Sequence, residues 1–497
     1  MSGGVRRDRP SQDVRTTRSA SPLIFARLGA SRHPTFEKCS PRMFKRILIA
    51  NRGEIALRII RAAHELGIEA VCVYSRADAD GPWLRSADHS ICIGAAPSSE
   101  SYLRIDRIIS AAEVTGADAI HPGYGFLSEN AHFAEVCRDC NIEFIGPSPE
   151  AMGLLGDKVS CKRMARQTGT PVFPGSDGAI EEEDEAIEVA GKIGYPVIVK
   201  ASAGGGGRGM RIVRSQEELK AALTSARQEA QAAFGNGAVY IEKYLEHARH
   251  VEIQVLGDKH GNAIHLFGRD CSSQRRHQKL IEEAPIPEAD AEKRNRVAES
   301  AAELIRRAQY AGAATVEFLM DRKQDFYMLE VNTRVQVEHP VTEMITGVDI
   351  VKEQIRIAAG EPLSYRQSDI RVNGHAIECR INAEDPDRNF TPQPGLLETF
   401  VPPGGPGVRV DTHARSGYRI PPNYDSMIGK LIVHAPTRRE AIDRMKRALR
   451  EFEIAPIRTT IPLHLRLLDH PNFVRADFDI KYVERYLADL AGEKKNA

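Results

Sequence analysis

From residue 45 onward the chain alternates short apolar runs with stretches whose apolar residues recur every three or four positions. Residues 45–50 read as a strand, 54–66 as an amphipathic helix and 68–74 as the next strand. The rhythm repeats in 117–121 (strand), 130–139 (helix) and 142–145 (strand). Three-to-four spacing puts apolar groups on one helical face, whereas a short apolar run bounded by turn residues fits a buried strand. Strand and helix in alternation predict a parallel, doubly wound sheet. Its first βα turn, Asn51-Arg52-Gly53-Glu54, has one glycine and so lacks the dinucleotide fingerprint. The second, His121-Pro122-Gly123-Tyr124-Gly125-Phe126, carries two glycines at the carboxyl end of a strand, where open sheets bind ligands. Further on, 171–177 and the acidic run 181–185 read as surface connection. A small unit spans 195–244, residues 250–340 are strand-rich, and 376–488 mix strands with helices.

A period of two dominates the strand-rich part. Residues 314–320 and 326–332 flank a turn at 321–325 and predict a hairpin. Centring the turn between Lys323 and Gln324 sets Glu317 opposite Glu330, Thr315 opposite Asn332, and Leu319 opposite Met328. Side chains alternate across a strand. Val316, Phe318 and Met320 then share an apolar face with Tyr327, Leu329 and Val331, and the other face sets two carboxylates side by side with the Asn332 amide. Like charges directly opposed destabilise a sheet. A divalent cation between them removes the conflict, and such oxygen ligands suit Mg²⁺ or Mn²⁺ with phosphate oxygens completing the shell. The competing reading, one glutamate salt-bridged and the other exposed at a slipped register, is opposed by the apolar face, which pins register.

The alternation continues. If 332–338 is extended, Asn332, Arg334, Gln336 and Glu338 share a face, and a guanidinium, an amide and a carboxylate converge as for a small planar oxyanion. Residues 249–255 place His250, Glu252 and Gln254 on one side. Gln274-Arg275-Arg276-His277-Gln278-Lys279 is a dense cationic cluster that reads as a phosphate or carboxylate clamp. A strand ending in Lys200 precedes Gly204, Gly205, Gly206, Gly207, Arg208 and Gly209, after which the chain returns to strand. A Walker A loop leads into a helix instead; here the glycine N–H groups suit a mobile phosphate lid. Cys137 and Cys140 lie in a helical pattern without a second ligand pair, which argues against structural zinc. Cys271 has no evident activating base.

Composition narrows the class. The 497 residues imply about three structural units. Lys+Arg and Asp+Glu both number 68, so the cationic excess of a nucleic-acid or polybasic membrane binder is missing. No apolar run is long enough for a membrane helix, and eight cysteines in this length do not make a disulfide framework. A reduced, intracellular enzyme is the expectation.

Eight separated strings, among them ILIANRGEIALRIIRA (47–62), HPGYGFLSEN (121–130), RDCSSQRRHQK (269–279), EVNTRVQVEHPVTE (330–343), ECRINAEDP (378–386) and PPNYDSMIGK (421–430), resemble the biotin carboxylase subunit of acetyl-CoA-type carboxylases in the ATP-grasp superfamily. The resemblance implies an α/β protein in three parts. These are a Rossmann-like N-terminal unit (44–156), an ATP-grasp unit (157–364) with a mobile glycine-rich lid at about 175–245 and an antiparallel core, and a mixed α/β C-terminal unit (376–488) before a tail (489–497). It implies carboxylation of biotin by bicarbonate with MgATP through carboxyphosphate, as the first half-reaction of acetyl-CoA carboxylase. Alternatives are the same subunit of another acyl-CoA or pyruvate carboxylase, or a non-catalytic ATP-grasp homologue. Residue by residue, it implies ATP contacts from Lys158, Lys200, Gly204 to Gly207, Gly209, Glu242, Lys243, Leu245, His250, Gln274, His277 and Leu319. Glu317, Glu330 and Asn332 would hold two Mg²⁺ or Mn²⁺ ions. Lys279, Arg334, Gln336, Val337 and Glu338 would hold bicarbonate, with Glu338 as the base, and Arg380 would stabilise the biotin ureido oxygen.

Two departures stand out. Relatives usually carry Glu before the RDCS string, where this chain has Gly268. No Ala-Met-Lys-Met motif and no carboxyltransferase segment is found, so biotin is expected on a separate carrier protein, with carboxyltransferase subunits as further partners and a homodimer by family likeness. Residues 1–42 hold nine Lys/Arg against Asp8, Asp13 and Glu37. They read as a disordered leader or sequence upstream of a true start at Met43, giving a cytoplasmic protein, or as a transit peptide giving a mitochondrial or plastid one.

Overall fold

The computed structural model describes residues 43–176, 178–180, 182–201 and 210–496. The leader, and the glycines from Gly204 to Gly209, lie outside them. In chain order the first unit holds β1 (Arg46–Ile49), α1 (Gly53–Glu65), β2 (Glu69–Ser75), β3 (His89–Gly94), α2 (Ile105–Thr115), β4 (Ala119–His121), α3 (Ala131–Asp139) and β5 (Glu143–Phe144). The five strands form a parallel sheet in the order β3-β2-β1-β4-β5. Ile55, Ile59, Ile60, Ala62 and Ala63 supply the buried stripe of α1. The loops after β1 and β4 meet at the carboxyl end of the sheet. There the Asn51 amide donates to the Pro122 and Tyr124 carbonyl oxygens, both at 2.7 Å. Gly123 has φ +63°, and a Cβ there would meet Asn51 Nδ2 at 2.9 Å, so only glycine suits this turn.

Next come α4 (Pro149–Gly156), α5 (Lys158–Gln167), α6 (Glu183–Ile193), β6 (Val197–Ala201), β7 (Arg211–Val213), α7 (Gln216–Phe234) and β8 (Val239–Lys243). Strands β7-β6-β8 form a small antiparallel sheet, and residues of α6 and α7 share its core. The expected surface connection differs. Its acidic residues Glu183, Asp184 and Glu185 are the first turn of α6, where carboxylates offset the helix dipole. Pro171 accepts the Met328 N–H at 2.8 Å, and buried Phe173 stacks on Tyr327. The segment is therefore stitched into the structure.

The remaining body is organised around one eight-stranded antiparallel sheet. It is built from β9 (Arg249–Gly257), β10 (Ala263–Arg275), β11 (Gln278–Ala284), β12 (Gly312–Met320), β13 (Phe326–Asn332), β14 (His375–Asn382) and the strands Met427–Ala435 and Val408–Thr412. Their order is β13-β12-β9-β10-β11-β14, then Met427–Ala435, then Val408–Thr412. Helices α8 (Ala291–Arg307), α9 (His339–Thr346) and α10 (Ile350–Ala358) belong to the same region. Pairing of β11 with β14 carries the sheet without a break from the strand-rich region into the C-terminal one. Among the described residues no helix is long and apolar enough to cross a membrane.

Candidate active site

A row of charge crosses the large sheet. Arg269 registers with Glu252, Glu252 with Glu317, and Glu317 with Glu330, on four successive strands. Glu317 opposite Glu330 and Thr315 opposite Asn332 follow the sequence reading. Beyond them a β-bulge at Leu329 shifts the register, so Leu319 faces Tyr327 rather than Met328. The extra residue turns the strand over. Phe326 and Met328 enter the core with Phe318 and Met320, in place of the expected Tyr327 and Leu329. Leu329 and Leu319 line the cavity instead.

The acidic row holds two cations. Arg269, fully buried, donates Nε to Glu252 at 2.5 Å and Nη1 to Gln254 and Thr342. Lys279 Nζ lies 2.8 Å from Glu252, 3.3 Å from Glu317 and 2.5 Å from Glu338. Burial alone would raise the Glu317 pKa, yet Lys279 and His250, the latter 3.1 Å away, bring it well below the usual carboxylate range. Around Glu330 burial and the facing Glu317 raise the pKa, and the opposing pull of Lys158 and His250 is too weak to prevail. One carboxylate kept anionic beside another resisting ionisation is the conflict a divalent cation relieves. Asn332 adds a buried amide whose Oδ1 accepts from Arg334 and whose Nδ2 has no partner among the described residues. This hard-oxygen set fits Mg²⁺ or Mn²⁺.

Residues 333–338 are bends and turns, not the extended strand expected, because β13 ends at Asn332 and α9 starts at His339. The polar residues still converge. Arg334 donates Nη2 to Asn332 (3.1 Å) and Nη1 to Gln336 (3.2 Å), while Gln336 donates to Glu317 at 2.9 Å. Glu338 caps α9, where the helix dipole favours an anion. It is fully buried between Lys279 and Arg380, whose Nη2 is 2.8 Å away. Burial would raise its pKa, but Lys279, Arg380 and Arg269 hold it far below the ordinary value. Cys271 lies beside it with Sγ 3.9 Å from Oε1, and burial first, then the charge of Glu252, keeps that thiol protonated.

Lys279, Glu317, Glu330, Asn332, Arg334, Gln336 and Arg380 border a cavity of about 1460 Å³, and Glu338 is buried behind Lys279 and Arg380. The cavity is also lined by Lys158, Lys200, Glu242, Lys243, Leu245, His250, Gln274, His277 and Val337, and it reaches Asn51 and Tyr124 at the end of the parallel sheet. Lys158 opens α5 behind the Asp157 cap. Glu242 is clasped by Lys200 at 2.7 Å and by Lys162. Lys243 turns its ammonium to the Gly194 and Tyr195 carbonyl oxygens. The cationic cluster divides. Arg276 and His277 form the β10–β11 turn with positive φ, whereas Arg275 leaves for Asn389 and lies over Phe390.

Sequence reasoning missed Glu252 as the carboxylate shared by Lys279 and Arg269, Lys162 as the second clasp on Glu242, and Glu129, which binds Arg334 Nε at 3.0 Å. The alternation at 250, 252 and 254 was the available signal for Glu252.

The family pattern described as biotin carboxylase, N-terminal domain, matches residues 43–152. That of the carbamoyl-phosphate synthase L chain, ATP binding domain, matches 157–366, and the biotin carboxylase C-terminal domain matches 378–485. Biotin carboxylase 1 of Bacillus subtilis is 56% identical over 445 residues, 89% of this chain and 99% of the relative. The chain belongs to the biotin carboxylase family. A chloroplastic biotin carboxylase of Arabidopsis thaliana is 52% identical over 446 residues, covering 90% of this chain and 83% of that protein. Among solved structures, the biotin carboxylase–β,γ-ATP complex of Campylobacter jejuni is similar at TM-score 0.83 and 52% identity, covering 89% and 99% of the two chains. The biotin carboxylase domain dimer of the Hydrogenobacter thermophilus 2-oxoglutarate carboxylase, solved with MgADP, ADP and bicarbonate, reaches 0.82 at 50% identity, covering 90% and 98%. Gly268 sits in a tight place. A Cβ there would meet Ile286 Cδ1 at 2.7 Å and the Glu252 carbonyl oxygen at 3.1 Å.

Proposed function

We infer that the chain carboxylates biotin with bicarbonate and ATP, the biotin being borne on a separate carrier protein, as the first half-reaction of an acetyl-CoA carboxylase. The observation that carries this reading is the convergence of Lys279, Arg334, Gln336 and Arg380 on a cavity that Lys158 and Lys200 also line, with Glu338 held directly behind Lys279 and Arg380. Glu317, Glu330 and Asn332 would hold Mg²⁺ or Mn²⁺, which when bound neutralises charge on the transferred phosphoryl group.

In this reading Lys158, Lys200 and His277 bind the phosphates, and Gly204 to Gly207 and Gly209 are further ATP contacts by family likeness. Glu242, Lys243, Leu245, His250, Gln274 and Leu319 seat the nucleoside. Lys279, Arg334, Gln336 and Val337 orient bicarbonate, and Glu338 takes its proton as a bicarbonate oxygen bonds to the γ-phosphorus and the bond to ADP breaks. While both Lys279 and Arg380 hold Glu338, it is ionised but a weak proton acceptor. A substrate anion that draws either cation away strengthens it as a base. The carboxyphosphate then splits to CO₂ and phosphate. Phosphate receives the biotin N1′ proton, N1′ bonds to the CO₂ carbon, and the Arg380 guanidinium stabilises the ureido oxygen. Excluding water from this cavity protects the labile intermediate.

ADP release with ATP, Mg²⁺ and free biotin, with and without bicarbonate, tests the reading beside Glu338→Gln. Turnover that needs both bicarbonate and biotin and falls by about 10²-fold or more in the variant is expected. Turnover indifferent to bicarbonate would point to another carboxylate substrate, and none even with a biotinylated carrier would leave a non-catalytic homologue. The 2-oxoglutarate carboxylase neighbour favours one second reading, in which the carboxylated biotin serves an acceptor other than acetyl-CoA. Supplying acetyl-CoA, propionyl-CoA, pyruvate or 2-oxoglutarate with their carboxyltransferases separates the two.

A further inference from the structure

Two more glutamates face each other across the large sheet, outside the cavity lining. Glu282 on β11 registers directly with Glu378 on β14, and both are fully buried. One Glu282 oxygen receives Arg380 Nε at 2.5 Å. Its other oxygen and both oxygens of Glu378 have no hydrogen-bond partner among the described residues. The charged and titratable groups facing Glu378 are Glu282 from β11, Arg380 from its own strand, Lys430 from Met427–Ala435, Glu338 from the start of α9, and Tyr124 from the loop after β4. Lys430 directs its ammonium to the Val337 carbonyl oxygen at 2.8 Å and to Glu54 at 3.1 Å, so it gives Glu378 no hydrogen bond. Three carboxylates thus crowd one guanidinium.

A carboxylate ionised in the interior without a hydrogen bond is among the costliest arrangements, and a proton removes the cost. Burial is the main influence raising the Glu378 pKa well above its ordinary value, with Lys430 opposing and Glu282 adding to it. Glu282 is itself pushed up to about 7, by burial against the pull of Arg380. Neither side chain borders the cavity, so a hydrated cation has no route between them. A proton needs no room. An ionised Glu378, two residues along the strand from Arg380, would also compete for its guanidinium and draw it from the cavity.

We propose that Glu282 and Glu378 hold one proton in common, with Glu378 the neutral acid, and that Glu282 is thereby the ionised anchor that positions Arg380 toward the cavity. When Glu338 takes up a proton in the reaction, Arg380 loses one anionic partner and Glu282 keeps it in place. The positioning half rests on the reading of Arg380 as the biotin-side guanidinium. The proton half does not.

Infrared spectra of the full chain without ATP or biotin test the proton. An unperturbed glutamate, with a pKa of about 4.3, is ionised at about pH 6.5, so a carboxylic-acid C=O stretch there reports a raised group. The wild type should show such a band and Glu378→Gln should lose it. No band in the wild type, or the same band in the variant, overturns the proposal. The KM for free biotin tests positioning. Glu282→Gln should raise it at least tenfold (about 1.4 kcal/mol), more than it lowers kcat, and Glu282→Asp should restore part of it. An unchanged KM refutes positioning even if the band behaves as expected. Biotin-independent behaviour of the wild type with the band present refutes the functional reading and leaves the shared proton standing. If Glu282→Gln fails to fold, the wild-type band and Glu378→Gln still decide the proton.

Discussion

The same arrangement occurs twice in one sheet. Glu317 faces Glu330 across β12 and β13, and Glu282 faces Glu378 across β11 and β14. The first pair lies toward the sheet edge and borders a cavity of about 1460 Å³, while the second lies in the sheet interior beneath α9. Register creates the same like-charge conflict in both. Surroundings decide how it is relieved. Where space and solvent reach the carboxylates, a divalent cation fits between them. Where they do not, the smallest positive partner, a proton, is the one that fits.

The comparison breaks most visibly at the open pair. Glu330→Gln should lower ATP cleavage by about 10²-fold or more, with partial recovery at high Mg²⁺. A metal titration of Glu378→Gln should show half-maximal turnover at the wild-type Mg²⁺ concentration. A shifted midpoint in Glu378→Gln would mean that the two pairs are not independent. A second effect concerns the cations between the pairs. Glu252→Gln leaves buried Arg269 and Lys279 short of a partner, and urea unfolding should report a loss of about 3–5 kcal/mol.

Stability against pH sharpens the contrast in sign. Glu317 and Glu338 have depressed pKa values in the folded state. Their contribution is present above the unfolded value of about 4.3 and lost as pH falls through the folded values. Glu282 and Glu378 are raised, so the folded state binds the extra proton. Their contribution is present below about 4.3 and lost as pH rises through the folded values, for Glu282 about 7. Urea midpoints measured from about pH 5 to about pH 8 should therefore decline less steeply with pH in Glu378→Gln than in the wild type. The smallest effect belongs to Gly268→Ala. Its Cβ collides with the flexible end of Ile286, which can turn aside, so a loss of about 1 kcal/mol in thermal unfolding is expected.

Much of the architecture was legible in the sequence for a plain reason. Strands β1 and β2 carry apolar runs, and the stripe on α1 repeats at helical spacing, so there local pattern and final burial agree; the edge strand β3, with His89 and Ser90 exposed, carries no such run. The open pair was read from a turn centred between Lys323 and Gln324, whereas the pairs next to the turn centre on Lys323 and the extra residue at Leu329 brings Glu330 opposite Glu317. The bulge at Leu329 was not legible, since a symmetric count from the turn cannot reveal an extra residue. The turn over 333–338 escaped as well, because alternating polar residues fit an extended chain as well as a folded one. Glu129 and Lys162 reach the site from distant segments with no local pattern to announce them.

The sequence by itself determined the two periodicities, the β12–β13 hairpin with a glutamate on each strand and the motif strings that mark the family. Each depends on neighbours along the chain. Only the tertiary structure decided that β11 pairs with β14, bringing Glu282 against Glu378, and that Lys279 and Arg380 close on Glu338 from opposite partners. Those contacts join residues about 40 to 100 positions apart. No local pattern encodes such a meeting, because it follows from which strands share an edge and from how deeply that edge is buried.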